Sequence, residues 1–117
     1  MNPPSVLVVD DHPVNRMLAC VLLRDAGRTY AEAADGLEAL KKLAEGDFGT
    51  VLLDISMPGM SGYEVCEKIR ADDKLRKLRV IAYTAHALDS ERAKIMAAGF
   101  DAVLTKPINR QSLLSVL

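Results

Sequence analysis

Four short apolar runs each end at a polar residue, and this repeated ending constrains the chain more than any other feature. Val6-Leu7-Val8-Val9 ends at Asp10, Val51-Leu52-Leu53 at Asp54 and Val80-Ile81-Ala82-Tyr83 at Thr84, while Ala102-Val103-Leu104-Thr105 runs into Lys106. Each run contains β-branched residues and is too short for a helix, so each reads as a strand. Helical patterns separate them, and that alternation is the mark of βα units around a parallel sheet covered on both faces. Neighbouring parallel strands would bring the four polar side chains to one sheet edge, where open α/β sheets bind their ligands. Acids, a hydroxyl and an ammonium gathered there suit a metal and a phosphoryl group.

The helices are legible from caps and periodicity. Pro13 fits a first helical position, where its missing N–H costs nothing. After it Val14, Met17, Leu18, Val21 and Leu22 recur at helical spacing until Gly27 supplies a stop. Asp35 with Glu38 forms an acidic capping box before the stripe Leu37, Leu40 and Leu43, and Ser61 with Glu64 forms a standard one before Val65 and Ile69. A fourth helix is expected from about Asp89 to Ala98. A fifth should start at Asn109, with Ile108 stapled onto Leu113. Thr29 to Ala33 is the weakest strand by pattern, as an edge strand would be. The expectation is one domain over residues 1–117, with five strands and five helices and no output domain.

Composition narrows the partners. A net charge of −1 gives no reason to expect nucleic acid or an anionic membrane surface. No apolar run nears the ~20 residues that span a bilayer, and the N-terminus lacks the pattern of a secretory signal. Cys20 and Cys66 stand in no metal or redox spacing and read as reduced helix residues of a cytoplasmic protein.

Asp10, Asp11 and Asp54 would form a trio of close carboxylates, which raise one another's pKa unless a cation relieves them. Hard oxygen ligands with open positions favour Mg2+, or Mn2+ in its place. An Asp-Asp pair alone commonly caps a helix, Lys106 alone could be a solvated loop lysine, and Thr84 alone a turn hydroxyl. Together at strand ends they make a phosphoryl-transfer site. Asp54 as nucleophile would form an acyl phosphate, Lys106 and the cation would neutralise the phosphoryl oxygens, and Thr84 would donate to them.

Four segments now resemble one family. Val8-Val9-Asp10-Asp11, Leu53-Asp54-Ile55-Ser56-Met57-Pro58-Gly59-Met60-Ser61-Gly62, Ala82-Tyr83-Thr84-Ala85 and Ala98-Gly99-Phe100-Asp101 to Lys106-Pro107 are similar to the receiver domains of response regulators in two-component and phosphorelay signalling. The resemblance covers essentially the whole chain. It implies a flavodoxin-like (βα)5 three-layer sandwich, with a parallel sheet in the order 2-1-3-4-5. It also implies that Asp54 is the phosphoacceptor, Asp11 a direct Mg2+ ligand, Asp10 one acting through water, and the Ser56 carbonyl a further ligand. Lys106 would be the phosphate-binding lysine, Lys106-Pro107 a candidate cis peptide, Thr84 the switch hydroxyl and Ala85 the small residue that keeps the pocket open. Ser56 and His86 would flank the path of attacking water and tune phosphate lifetime; His86 could equally be a solvated loop residue, as could His12.

One departure from the family matters. An aromatic often stands three residues before the lysine, where this chain has Val103. Switching would then travel through the loop and the fourth helix, or Val103 is simply a packed strand residue.

The resemblance further implies docking of a histidine kinase or histidine phosphotransfer domain through Val14, Asn15, Met17, Leu18 and Leu22, joined by Pro107 and Ile108. Some of these must face inward, since the spacing also fits a core stripe. Pro13-Val14-Asn15-Arg16 and Thr84-Ala85-His86-Ala87 resemble receivers attached to hybrid sensor kinases. Such a domain catalyses its own phosphorylation and dephosphorylation and is not a turnover enzyme. Rival readings fit less well. An aspartate-nucleophile phosphatase needs a second acid where Ser56 stands. A phosphorylation-independent pseudo-receiver would have lost an acid, the Thr or the Lys. A flavodoxin needs a phosphate loop where Asp10-Asp11 would repel the cofactor.

Overall fold

The computed structural model describes residues 5–85, 88–106 and 108–117. Five parallel strands alternate with five helices. In chain order they are β1 (Ser5–Val9), α1 (Pro13–Asp25), β2 (Tyr30–Ala33), α2 (Gly36–Glu45), β3 (Phe48–Asp54), α3 (Gly62–Ala71), β4 (Arg79–Thr84), α4 (Asp89–Ala97), β5 (Ala102–Thr105) and α5 (Arg110–Val116). The sheet order is β2-β1-β3-β4-β5, as the family resemblance implies. β1, β3 and β4 are therefore central. In-register pairing of Val9 with Leu53 and of Asp54 with Tyr83 puts their C-terminal ends side by side.

Strand alternation divides the core into two layers, as period-2 side chains on a doubly covered sheet must. Leu7, Val9, Val51 and Leu53 pack with Ala39, Leu43, Val65, Ile69 and Ile95 from α2, α3 and α4. Val6, Val8, Leu52, Ile81, Tyr83 and Leu104 pack with Ala19, Cys20, Leu23 and Leu113 from α1 and α5. Each fully buried aliphatic contributes about 1.5–3 kcal/mol. α4 buries only Ile95, so it is held more weakly than its neighbours.

The expected caps form. Asp35 accepts the Glu38 amide at 2.8 Å, and Ser61 with Glu64 closes a reciprocal box. Asn109 caps α5 in a box with Ser112, and both Ile108 and Leu113 are buried in the same layer, as a hydrophobic staple requires. Gly27, at φ +75°, ends α1 with its own amide on Arg24 and the Arg28 amide on Leu23.

Two apolar stripes face differently from the pattern. In α1 the inward face is Ala19, Cys20 and Leu23, with Leu22 and Val21 half-buried, while Val14, Met17 and Leu18 are exposed. Small residues at 19 and 20 let that face, rather than the bulkier one, seat on the sheet. In α2 Leu43 is buried but Leu37 is 70% exposed, and Gly36 and Ala39 take the inward turn instead. Both cysteines are free thiols in helices, as expected. Among the described residues no helix is long and apolar enough to cross a membrane.

Candidate functional site

The strand ends do converge. Asp10 follows β1, Asp54 and Thr84 close β3 and β4, and Lys106 follows β5, with the Lys106 amide on the Thr84 carbonyl at 2.8 Å. Oxygens of Asp10, Asp11 and Asp54 lie within 4.8 Å of one another. The Lys106 ammonium reaches Asp54 Oδ1 at 3.2 Å and Asp10 Oδ2 at 3.3 Å. A cleft of about 280 Å³ opens over them, lined by His12, Asn15, Asp54, Ser56, Thr84, Ala85 and Lys106. A larger hollow of about 490 Å³, lined among others by Arg92, Val103 and Ser112, shares Lys106 but has no carboxylate in its lining. The acids single out the smaller cleft.

Local sequence explains how each acid is held. Asp10 is fully buried and receives the His12 amide on Oδ1 at 2.8 Å and the Tyr83 hydroxyl on Oδ2 at 2.6 Å. Arg16, one turn into α1, donates to the Asp10 carbonyl at 2.6 Å and pairs with Glu32 at 3.0 Å. Asp54, also buried, receives the Ser56 amide at 3.2 Å. Below it, Gly62 starts α3 with its amide on the Ile55 carbonyl; a Cβ there would stand 2.4 Å from the Asp54 carbonyl oxygen. Only glycine permits that close approach.

The two buried acids differ in how readily they ionise. Burial pushes Asp10 up, but the Tyr83 hydroxyl, the His12 amide and Lys106 together hold it below the usual carboxylate value. Burial pushes Asp54 up as well, and Lys106 offsets this only partly against repulsion from Asp10, leaving it at about 6. The better hydrogen-bonded acid ionises more easily, and its neighbour bears more of the cost of burial.

A cation suits this site on chemical grounds. Among the described residues, Asp11 Oδ1 is buried without a hydrogen-bond partner, although it lies beside two further carboxylates. A buried, unpartnered carboxylate oxygen is expensive unless something positive meets it.

The sequence-derived residues divide as follows. Asp10, Asp11, Asp54, Thr84, Ala85, Ser56 and Lys106 meet at the cleft or in the acid cluster beside it. His86 and Pro107, and with Pro107 the candidate cis peptide, lie outside the described residues. Val103 is half-buried and packs on the α2–α4 layer as a strand residue. Of the expected docking positions, Val14, Met17 and Leu18 are exposed and Asn15 lines the cleft, but Leu22 is half-buried against the core. Ile108 is buried at 6% exposure in the layer with Leu113, as the α5 staple requires, and presents little surface. Two contributors were given no role by the motifs. Tyr83 touches both Asp10 and Lys106. Arg70 ties the far edge together, bonding the Gly99 and Leu78 carbonyls and Asp101.

The fold and site define a three-layer α/β domain with a cluster of carboxylates and a lysine at the C-terminal edge of its parallel sheet. The profile of the response regulator receiver domain matches residues 6–117, and the chain belongs to that family: it is a receiver domain of two-component signalling. Sensor protein GacS of Pseudomonas syringae pv. syringae is 38% identical over 97% of this chain, which corresponds to 13% of that protein. Chemotaxis protein CheY-3 of Vibrio cholerae is 39% identical over 93% of this chain and 85% of its own length. The receiver domain of sensor histidine kinase PA1611 from Pseudomonas aeruginosa superposes with a TM-score of 0.88 at 32% identity, covering 97% of this chain and 93% of that one. That structure has a magnesium ion coordinated in its active-site cleft. The chain thus spans only about an eighth of the sensor proteins it resembles.

Proposed function

We propose that this domain takes a phosphoryl group from a phosphohistidine of a histidine kinase or phosphotransfer domain onto Asp54. The observation that carries this reading is the Lys106–Asp54 contact at 3.2 Å, beside the unpartnered Asp11 oxygen. A Asp54 carboxylate oxygen attacks phosphorus in line, and the P–N bond breaks. The donor imidazole, protonated on its other nitrogen, leaves neutral with the electron pair, and an aspartyl acyl phosphate remains. Lys106 exchanges its contact with Asp54 for one with a phosphoryl oxygen, and Thr84, at the rim of the same cleft, donates its hydroxyl to another.

Asp10, Asp11, Asp54 and the Ser56 carbonyl would hold Mg2+ (or Mn2+), which when bound supplies positive charge against the phosphoryl oxygens. Ser56 and Ala85 line the cleft and set the access of water to the acyl phosphate. The domain is a reactant that catalyses its own modification, not a turnover enzyme. Exposed Val14, Met17 and Leu18 on α1 lie near the cleft-lining Asn15 and offer the partner an apolar landing.

Incubation with Mg2+ and acetyl phosphate, followed by intact mass measurement beside Asp54→Ala, tests the reading. One added phosphoryl mass, absent without Mg2+ and absent in the variant, is the expected result. If neither that adduct nor a beryllofluoride complex forms, the domain acts without phosphorylation.

A further inference from the structure

Tyr83 is buried at 1% exposure in the layer under α1 and α5, in a run that is otherwise aliphatic. A buried tyrosine hydroxyl needs a partner, and this one finds Asp10 Oδ2 at 2.6 Å. Lys106 Nζ stands 4.7 Å from the centre of the same ring, within cation–π range, and 3.3 Å from the same Oδ2. One side chain therefore grips both the cation-side acid and the phosphate-side lysine.

We propose that Tyr83 is a positioning residue for phosphoryl transfer, holding Lys106 between the two acids so that it can pass to an incoming phosphoryl group. The inference rests on the receiver reading above. Without the hydroxyl, Lys106 would be the sole side-chain donor on the buried Asp10 Oδ2 among the described residues and would close on it, away from Asp54. Sharing that oxygen with a neutral donor weakens the competing ion pair. The ring adds the second constraint. A lysine is a point charge on a flexible stem, and the ring face gives this one a resting place within reach of Asp54.

Rates of phosphorylation by acetyl phosphate at saturating Mg2+ test this, in the native chain and in Lys106→Ala. Tyr83→Phe, which keeps the ring, should slow the native background on the order of tenfold, and Tyr83→Leu should slow it further. In Lys106→Ala neither change should matter. Equal fractional losses in both backgrounds, or no loss in the native one, would overturn the inference and leave the receiver reading intact. An unmodified native chain would overturn both.

Should the variants fold poorly, the unaltered protein with ring-labelled tyrosine serves. On adding Mg2+ and beryllofluoride, the Tyr83 resonance should shift as Lys106 leaves its face, while that of Tyr30, on the edge strand, stays put. An unmoved Tyr83 signal with beryllofluoride bound speaks against the inference.

Discussion

The Lys106 ammonium, 3.2 Å from Asp54, offsets only part of the cost of burying that carboxylate. Asp54 stands at about 6 in the folded chain against an ordinary 3.8. A raised carboxyl pKa means the folded state binds more protons, so stability falls as pH rises from about 4 to 6 and stays low above that. The penalty at neutral pH is on the order of 1–3 kcal/mol. Asp54→Asn in EDTA should therefore unfold at higher urea than the native chain at pH 8, and the gap should close towards pH 4. A gap that is constant with pH would show that burial charge is not its source.

Asp11 makes a complementary prediction. Its buried, unpartnered Oδ1 gives the metal-free fold nothing, so Asp11→Ala should leave stability in EDTA unchanged or slightly higher. Mg2+ at a hundred times its Kd should stabilise the native chain by about 2.7 kcal/mol. That gain should vanish in Asp11→Ala. Thermal unfolding with and without Mg2+ decides it, and a full Mg2+ response in the variant would remove Asp11 from the ligand set.

What the sequence made legible follows from how each feature is encoded. Asp54 and Thr84 end strands, while Asp10 and Lys106 stand just past β1 and β5, so one topological inference placed them together. The sheet-facing side of α1 was not legible in the same way. Val14, Met17 and Leu18 compete there with Ala19, Cys20 and Leu23, and an apolar count cannot tell which face the sheet selects. Ile108 carried two readings, staple and docking residue, and its burial fits the first. Tyr83 stood at the end of the fourth apolar run with no role of its own. The signal that could have found it is chemical: a hydroxyl in a buried strand must bond something, and it stands next to Thr84. Arg70 was invisible because its partners are mostly backbone carbonyls brought near only by the fold.

Gly62 is a steric requirement and not a flexible joint. A Cβ there would lie 2.4 Å from the Asp54 carbonyl oxygen and 2.8 Å from the Ile55 Cα, both backbone atoms that cannot swing aside. Gly62→Ala should cost about 1–3 kcal/mol by overpacking. It should also slow phosphorylation by acetyl phosphate, because the end of β3 must move. Stability lost with an unchanged rate would place the strain in α3 alone.

Arg70 should separate stability from chemistry. Its guanidinium joins the end of α3 to the Gly99, Arg76 and Leu78 carbonyls and to Asp101, which in turn accepts the Val80 amide. All of this lies at the N-terminal edge of β4 and β5, away from the acids. Arg70→Met should cost about 2 kcal/mol, since a charged donor is lost to several acceptors. Hydrogen exchange should rise first at the amides of Val80 and Asp101. The phosphorylation rate at saturating Mg2+ should not change.

The exposed face of α1 distinguishes a small phosphoryl donor from a protein one. Val14 is 71% exposed and Met17 59%, so replacing either with glutamate removes little buried contact and should alter stability by no more than about 0.5 kcal/mol. Acetyl phosphate reaches Asp54 through the cleft and needs no surface beyond it, so its rate should hold. A phosphorylated helical-bundle donor must seat its histidine over the same cleft, and two new carboxylates on α1 would meet its apolar contact face unpaired. Phosphotransfer from such a donor to Val14→Glu/Met17→Glu should fall at least tenfold, each buried unpaired charge costing well over the ~1.4 kcal/mol that tenfold represents. Stopped-flow transfer measured beside the acetyl phosphate rate reads both quantities on one protein. If the two rates fall together, α1 supports the cleft itself; if neither falls, the partner docks elsewhere.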